Sequence, residues 1–315
     1  MLDVKRMRVL REVAAHGSFS AAADALSYTQ SAVSQQIAAL ERETGTRLVD
    51  RAARGVTLTE AGAALVAHAD AILSRLADAE AELDAIAGLR SGRLRMTTFP
   101  TAGATIVPKA IVEFRRRFPK VELTLSPAEP TEIGDLLRGG DAELCLTIEN
   151  PAGPARRGDH ADIEFVDLLE DPMYLMVPAG HPLAGRERLK LDELSEEDWI
   201  LGSTVRCPDS VILERACLTA GFEPRIAFHS DDYLAVQGFV AGGFGVAFIP
   251  DLALVAVRDD VVVLPVDGTP PTRRIQAATL AGSWASPARQ AMMAILVEVS
   301  QEFGHTPRVE FTLAN

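Results

Sequence analysis

The chain has 315 residues, 48% of them hydrophobic and 24% charged, which leaves material for two or three packed domains and excludes a disordered polymer. A net charge of −13 excludes a protein that coats nucleic acid over its whole surface, but the acidity is unevenly spread. Residues 1–60 carry eight Lys/Arg against seven Asp/Glu, a net of +1, while the remainder carries 23 against 37, a net of −14. DNA contact needs only a local basic surface, and an acidic body would confine that contact to the N-terminal part.

Met1–His16 places Met7, Leu10, Val13 and Ala14 on one stripe, a first helix. Ala21–Leu26 is expected as a short helix opened by a Ser20 cap. Ser27-Tyr28-Thr29 then breaks the helical run. Gln30–Glu43 resumes it with Val33, Ile37 and Leu40 at helical spacing, and Gly45 suits a left-handed C-cap. Two helices joined by so tight a turn, with small Ala22 and Ala23 at the contact, form a helix-turn-helix pattern. The exposed side of the second helix begins Thr29, Gln30, Ser31, Ser34, Gln35, Gln36. These uncharged donors and acceptors suit base edges and phosphates in a major groove. The same residues also fit a polar helix in an all-α domain. Arg47–Arg51 and Gly55–Thr59 read as two extended pieces around a basic bend, a wing whose Arg51 and Arg54 would lie beside a duplex backbone or stand as solvated surface charges.

Thr59 to about Ala87 reads as one long helix with Leu65, Ala69, Ile72, Leu76, Ala79, Leu83 and Ile86 at alternating spacings of four and three. That heptad seam suggests dimerisation through Leu65, Ile72, Leu76, Leu83 and Ile86, with intrachain packing as the alternative. Gly88–Gly92 reads as a linker. Beyond it, strands at Leu94–Thr98, Val121–Leu125 and Glu143–Thr147 alternate with helices at Thr101–Phe118 and Thr131–Gly139, an α/β order with a mainly parallel sheet. A loop at Asn150–Asp162 precedes a crossover strand, Glu164–Leu168. A second α/β unit follows, with strands at Met173–Val177, Trp199–Leu201, Arg225–Phe228, Val246–Ile249 and Val261–Leu264. Its helices are expected near Ser210–Ala220 and Tyr233–Ala241, before Arg274–Leu280 and the helix Pro287–Phe303 return to the first unit. Two lobes joined by two crossings suggest a hinged cleft for a small molecule.

Gly17-Ser18-Phe19, Ala22-Ala23, Leu26, Gln30-Ser31-Ala32-Val33-Ser34, Ile37, Leu40-Glu41, Gly45, Leu48, Arg51 and Leu58-Thr59-Glu60-Ala61-Gly62 together resemble LysR-type transcriptional regulators. The match continues more thinly through Pro108, Phe114, Phe118-Pro119, His181-Pro182-Leu183-Ala184 and Gly243-Phe244-Gly245 to Ile249-Pro250, so it spans nearly the whole chain. Leu10 and Val49 stand where the family usually has Phe, apolar swaps that touch packing alone. The resemblance implies a winged helix-turn-helix at residues 1–59 and a dimerising linker helix at 60–88. It further implies a two-lobed effector domain of periplasmic-binding-protein type at 89–303 (lobe I about 91–163 and 268–303, lobe II about 164–267) and a tail at 304–315. It also implies a non-enzymatic homodimer or homotetramer that binds palindromic double-stranded DNA, with RNA polymerase as a further partner and a small-molecule effector in the cleft.

Carried onto this chain, Thr29, Gln30, Ser31, Ser34 and Gln35 resemble the family's recognition-helix contacts, and Arg51 and Arg54 its wing contacts. For the effector, strand ends and helix starts offer Thr98, Thr101, Ala102, Glu129 and Thr147 on one side, and Thr204, Val205, Arg206 and Phe248 on the other. Free amides after Thr98 would hold an anion and Arg206 a carboxylate, whereas Glu129 favours an amine or hydroxyl. Cys207 and Cys217 suggest an alternative, thiol-based sensing as in OxyR-like members, although Cys207 lies one residue out of register and lacks a neighbouring histidine. A two-lobe solute-binding protein is the competing class. No P-loop, nucleophile elbow or HExxH motif is present, and the histidines are scattered, so no metal or cofactor is expected. Cys145, Cys207 and Cys217 form no CxxC, and there is no charged-then-apolar leader or membrane-length apolar run, so a cytoplasmic location is expected.

Overall fold

The structure is a computed structural model that describes residues 1–52, 55–86, 92–149, 161–202 and 208–304. The chain divides into two compact units, Met1–Arg90 with Asp135–Ala142, and Ser91–Gly134 with Glu143–Asn315.

In the first unit, α1 (Val4–His16), α2 (Phe19–Leu26) and α3 (Gln30–Thr44) precede the strands β1 (Val49–Ala52) and β2 (Gly55–Leu58) and the long helix α4 (Glu60–Ile86). Helix α2 starts two residues earlier than expected. Ser18, in an extended conformation, takes the cap by accepting from the Ala21 N–H, and Ser20 lies inside the first turn. This places Phe19 in the core with Leu10, Val13, Ala22, Val33, Ile37, Leu40 and Leu48. Helix α3 ends at Gly45 with φ +70°, where a side chain would be strained. Strands β1 and β2 pair antiparallel. Glu41 fastens β1 to α3 by accepting from the backbone N–H of Leu48 at 2.9 Å.

The heptad seam is corrected at its start. Leu65 and Ala69, 9% and 0% exposed, belong to this same core and are closed to any partner. The stripe on α4 meets α1 over its first turns because α4 leaves the wing directly across it. Only beyond this do Ile72, Leu76 and Leu83 become exposed. The Ile86 side chain lies outside the described residues.

The second unit runs β3 (Gly92–Thr98), α5 (Pro100–Ala104), α6 (Ile106–Arg117), β4 (Val121–Pro127), β5 (Leu144–Ile148) and β6 (Ile163–Pro178), while α7 (Ile133–Gly139), between β4 and β5, groups from Asp135 onward with the first unit. It continues with β7 (Asp198–Leu201), α8 (Pro208–Thr219), β8 (Arg225–His229), α9 (Tyr233–Ala241), β9 (Val246–Pro250), β10 (Val261–Leu264), β11 (Thr272–Leu280) and α10 (Pro287–Gly304). The sheet order is β4-β3-β5-β11-β6-β9-β7-β8, with β10 also on β6. Strands β4, β3 and β5 are parallel, as are β9, β7 and β8, while β11 and β6 run antiparallel to their neighbours.

Two expectations change here. The single helix from Thr101 to Phe118 is two, broken at Thr105, whose φ −125° and ψ −82° are not helical. Pro108 accounts for the break, because a proline without N–H is tolerated only in the first turn, so α6 must begin just before it. The expected pair of strands at Glu164–Leu168 and Met173–Val177 is one 16-residue strand, β6. It pairs with β11 through Pro172 and with β9 from Met173 onward. Pro172 therefore sits where β6 changes neighbours, and its missing N–H costs little ladder. Strand β6 and the return into β11 are the two crossings between the lobes.

Lobe I packs Leu94, Met96, Ile106, Phe114, Leu144, Leu146 and Ile275 against α10 residues Met292, Ile295 and Leu296. In lobe II the strand period of two divides the sheet between two cores. Met173, Leu175, Trp199, Leu201, Val246 and Phe248 face one side, and Met176, Ile200, Ala247 and Ile249 the other.

Candidate functional site

Helix α3 presents the first candidate face. Thr29 is its cap, its Oγ1 accepting from the Ala32 N–H at 3.2 Å and lying 3.0 Å from the Ser31 hydroxyl. That hydroxyl therefore has a structural duty before any external one. Gln30, Ser31 and Gln35 are exposed, Ser34 is half-buried, and Tyr28 beside them is 50% exposed. Gln36, on the same helix, accepts from Arg6 Nε at 3.2 Å and is held against α1. Arg51 lies on β1 opposite Val56, with its side chain outside the described residues, as is Arg54 entirely. The wing is anchored at its base. Val56 N–H donates to the Gly17 carbonyl at 2.9 Å, and a Cβ on Gly55, at φ +138°, would lie 2.8 Å from that same oxygen.

The second candidate is the cleft between the lobes, a cavity of about 70 Å³. Its floor is where the two crossings run side by side, Asp171 on β6 opposite Arg273 on β11. Arg273 is 1% exposed, and its Nε and Nη2 donate to Asp171 Oδ2 at 3.0 and 2.5 Å. Nη2 also reaches Thr101 Oγ1 on α5 of lobe I at 3.0 Å, and Nη1 reaches Asp209 Oδ2 on α8 of lobe II at 2.9 Å. The Tyr233 hydroxyl, at the start of α9, donates to the same Asp209 oxygen at 2.6 Å. Asp171 Oδ1 accepts from the Leu252 N–H at 3.0 Å. One guanidinium thus ties both lobes to the hinge. Burial works against its charge, but Asp209 and Asp171 outweigh it and hold Arg273 firmly protonated.

Of the expected effector residues, Thr101, Glu129 and Phe248 line the cavity. Thr98, Ala102 and Thr147 do not. Thr98 is buried with its hydroxyl donating to the Phe99 carbonyl, Ala102 packs into the lobe I core, and Thr147 is 2% exposed in β5 opposite Gln276 of β11. Thr204, Val205 and Arg206 lie outside the described residues. The expected anion cradle is also weaker than its position suggests, because Pro100 opens α5 without an N–H and Thr101 Oγ1 is taken by Arg273. Arg273, Asp171, Asp209, Asp231 and Tyr233 were not anticipated. Asp209, just after Pro208, reads in sequence as an ordinary first-turn helix acid.

Cys217 lies in a lobe II core, where burial and then the Glu214 charge push its thiol up to about 12, the reverse of a reactive thiolate. Cys207 is outside the described residues. Among the described residues no His, Cys, Asp or Glu group is placed to hold a metal ion, and no helix is long and apolar enough to cross a membrane.

Glu129 stands at the rim. Burial raises its carboxyl, and the charges of Asp231, Glu132 and Asp209 raise it further. An acid whose folded value is raised loses stability as the pH climbs through it, since the folded chain holds the proton more tightly than the unfolded one. Glu129→Gln is therefore expected to raise the melting temperature at pH 7, with the gain fading as the pH falls below the ordinary value of 4.5. Thermal melts across that range check it, and a lower melting temperature at pH 7 would contradict it.

Residues 4–63 match the family profile described as bacterial regulatory helix-turn-helix protein, lysR family, and residues 87–301 match the LysR substrate binding domain. A probable HTH-type transcriptional regulator LrrA of Synechococcus elongatus is 30% identical over 304 residues, covering 96% of this chain and 98% of its own. The fold is similar to that of full-length OxyR from Pseudomonas aeruginosa (TM-score 0.72, 21% identity, 96% of this chain and 95% of that one). It is also similar to full-length CbnR complexed with its target DNA (TM-score 0.68, 23% identity, 96% and 99%).

Proposed function

The chain belongs to the LysR family of transcriptional regulators, and from that premise we propose that it reads palindromic promoter DNA as a homo-oligomer under the control of a small molecule in the interlobe cleft. Residues 1–59 form the DNA-binding head, 60–88 the linker and 89–303 the effector domain, acting in the cytoplasm. Gln30, Ser31 and Gln35 face base edges from the first turns of α3, while Ser34, Arg51 and Arg54 hold phosphates. The exposed stripe Ile72, Leu76, Leu83 on α4 is too apolar for a solvated helix and supplies the contact with a second copy, which sets two heads on two half-sites. The solved CbnR–DNA complex supports the choice of partner. RNA polymerase is the further partner such a regulator would meet at a promoter.

The observation that carries control by a ligand is the Arg273 node. Its bonds to Thr101 and Asp209 join the lobes across the cavity floor, so a molecule seated above it bears on both lobes at once. Lobe geometry then changes the spacing of the heads.

Binding isotherms on the promoter beside its own gene test the DNA reading. Gln30→Ala is expected to cost about 1–3 kcal/mol on the operator and little on random DNA, relaxing sequence preference. Arg54→Ala is expected to weaken both alike and reduce the salt slope by about 1. Equal losses on operator and random DNA from Gln30→Ala would remove the base-reading role.

A further inference from the structure

We propose that Tyr28 is a further specificity-determining residue, its ring seated on the 5-methyl group of a thymine in each half-site. This rests on the reading of α3 as the recognition helix. Tyr28 lies between two helix caps. Behind it α2 closes on Ser27, whose N–H goes to the Asp24 carbonyl at 3.2 Å, while the Tyr28 N–H goes to the Ala23 carbonyl at 2.8 Å. In front of it Thr29 opens α3. Ser27 has φ 56° and is, among the described residues, the one non-glycine in the left-handed region, where glycine or asparagine is the usual closure. Backbone strain of this kind gathers at functional positions. These bonds fix the chain on either side, so Tyr28 is held at the start of α3, the end from which a recognition helix reaches base edges.

The fold makes little use of the ring. A residue after such a closure usually packs back on the residue that accepts its N–H, here Ala23. A residue before a helix cap usually packs on the fourth residue of that helix, here Val33. Ala23 and Val33 are 3% and 0% exposed in the core of the first unit, and half of Tyr28 stays open. Among the described residues no hydrogen bond or ring contact holds its side chain. Its neighbours on the exposed face, Gln30, Ser31 and Gln35, are hydrogen-bonding groups that distinguish donors from acceptors. The thymine methyl is the apolar group a base pair shows in the major groove, and an apolar side-chain surface is what reads it. A phosphate is the competing contact for a tyrosine, but it needs the hydroxyl, whereas the methyl needs the ring.

Binding isotherms of the full-length protein test this on the promoter fragment beside its own gene, amplified either with thymine or with uracil in its place, so that the methyl groups alone differ. The wild type is expected to bind the uracil fragment at least about fourfold more weakly, the value of one buried methyl. Tyr28→Ala, at an exposed position outside the core, is expected to remove that penalty, and Tyr28→Phe to keep it. Equal wild-type affinity for the two fragments, or a penalty that Tyr28→Ala retains, would overturn the assignment. So would a penalty that Tyr28→Phe abolishes, which would move the contact to the hydroxyl and a phosphate. A wild type that prefers the promoter over random DNA without a uracil penalty removes the role of Tyr28 alone. No preference for the promoter at all removes the reading of α3 as well.

Discussion

Replacing Arg273 by leucine is expected to destabilise the second unit by about 3–5 kcal/mol, the usual cost of stripping one partner from a buried ion pair. Asp171 is fully buried and would keep only the Leu252 N–H. Asp209, 15% exposed, would keep Tyr233 and some access to water, so most of the loss falls on Asp171. For a unit of this size the melting temperature should fall by very roughly 6–20 °C. The deficit has a pH signature. Without Arg273, burial and then the Asp209 charge raise the Asp171 carboxyl against only the Leu252 N–H, so the folded variant takes up a proton more readily than the unfolded chain. Its stability falls as the pH climbs above about 4, and the gap from the wild type narrows as the pH drops toward that value. Arg273→Leu with Asp171→Leu should recover most of the loss, because the pair is then replaced by apolar groups rather than broken. Urea unfolding of the two singles and the double forms the cycle. A single-variant loss below about 1 kcal/mol would mean that the node does not hold the hinge.

Gly62→Ala is expected to have the next largest effect, on the first unit. Gly62 lies in the first turn of α4, and a Cβ there would fall 2.0 Å from the Leu48 carbonyl oxygen and 2.9 Å from its carbon. The obstruction is backbone, so no rotamer change relieves it. Leu48 is itself pinned, its N–H to Glu41 and its carbonyl to the Thr59 N–H at 3.0 Å. Helix α4 must therefore retreat from β1, loosening the Thr59 hydroxyl's bond to Arg47 as well. Overpacking and weakened hydrogen bonds together predict about 2–5 kcal/mol, with a matching loss of DNA affinity as the wing shifts on α3. Gly92→Ala, whose Cβ meets nothing within 4 Å, is the control and should change stability by less than about 0.5 kcal/mol. Equal behaviour of the two variants would contradict the close approach.

The N-terminal unit was legible because its signals are local. A tight turn, the αL position at Gly45 and helical spacing of Val33, Ile37 and Leu40 all lie within a few residues. Differences there amount to two residues, as where Ser18 rather than Ser20 takes the cap. The start of the heptad stripe packs within the chain: the first turns of α4 face α1, and nothing in the spacing of Leu65 and Ala69 distinguishes that from a partner helix. In the second unit the strand and helix order was readable from periodicity. The length of β6 was not, because Pro172 ordinarily ends a strand and here marks a change of neighbour. The cleft floor was hidden for a deeper reason. Arg273 meets Asp171 and Thr101 across 102 and 172 residues of sequence, and no local pattern announces a pairing that only the two crossings create. Glu129 lines the cavity, but no local pattern announced the Asp231 and Asp209 charges that act on it there.

Ligand-dependent reading of paired half-sites by two copies of this chain is the central proposal. The most direct measurement is to capture fragments of the source genome on the purified full-length protein, sequence them, and footprint the enriched site. A twofold-symmetric motif is expected, its half-sites a whole number of helical turns apart and protected together. Gln30→Ala should blur that motif. Capture no better than that of random fragments at the same salt, or a single unpaired half-site, would contradict it.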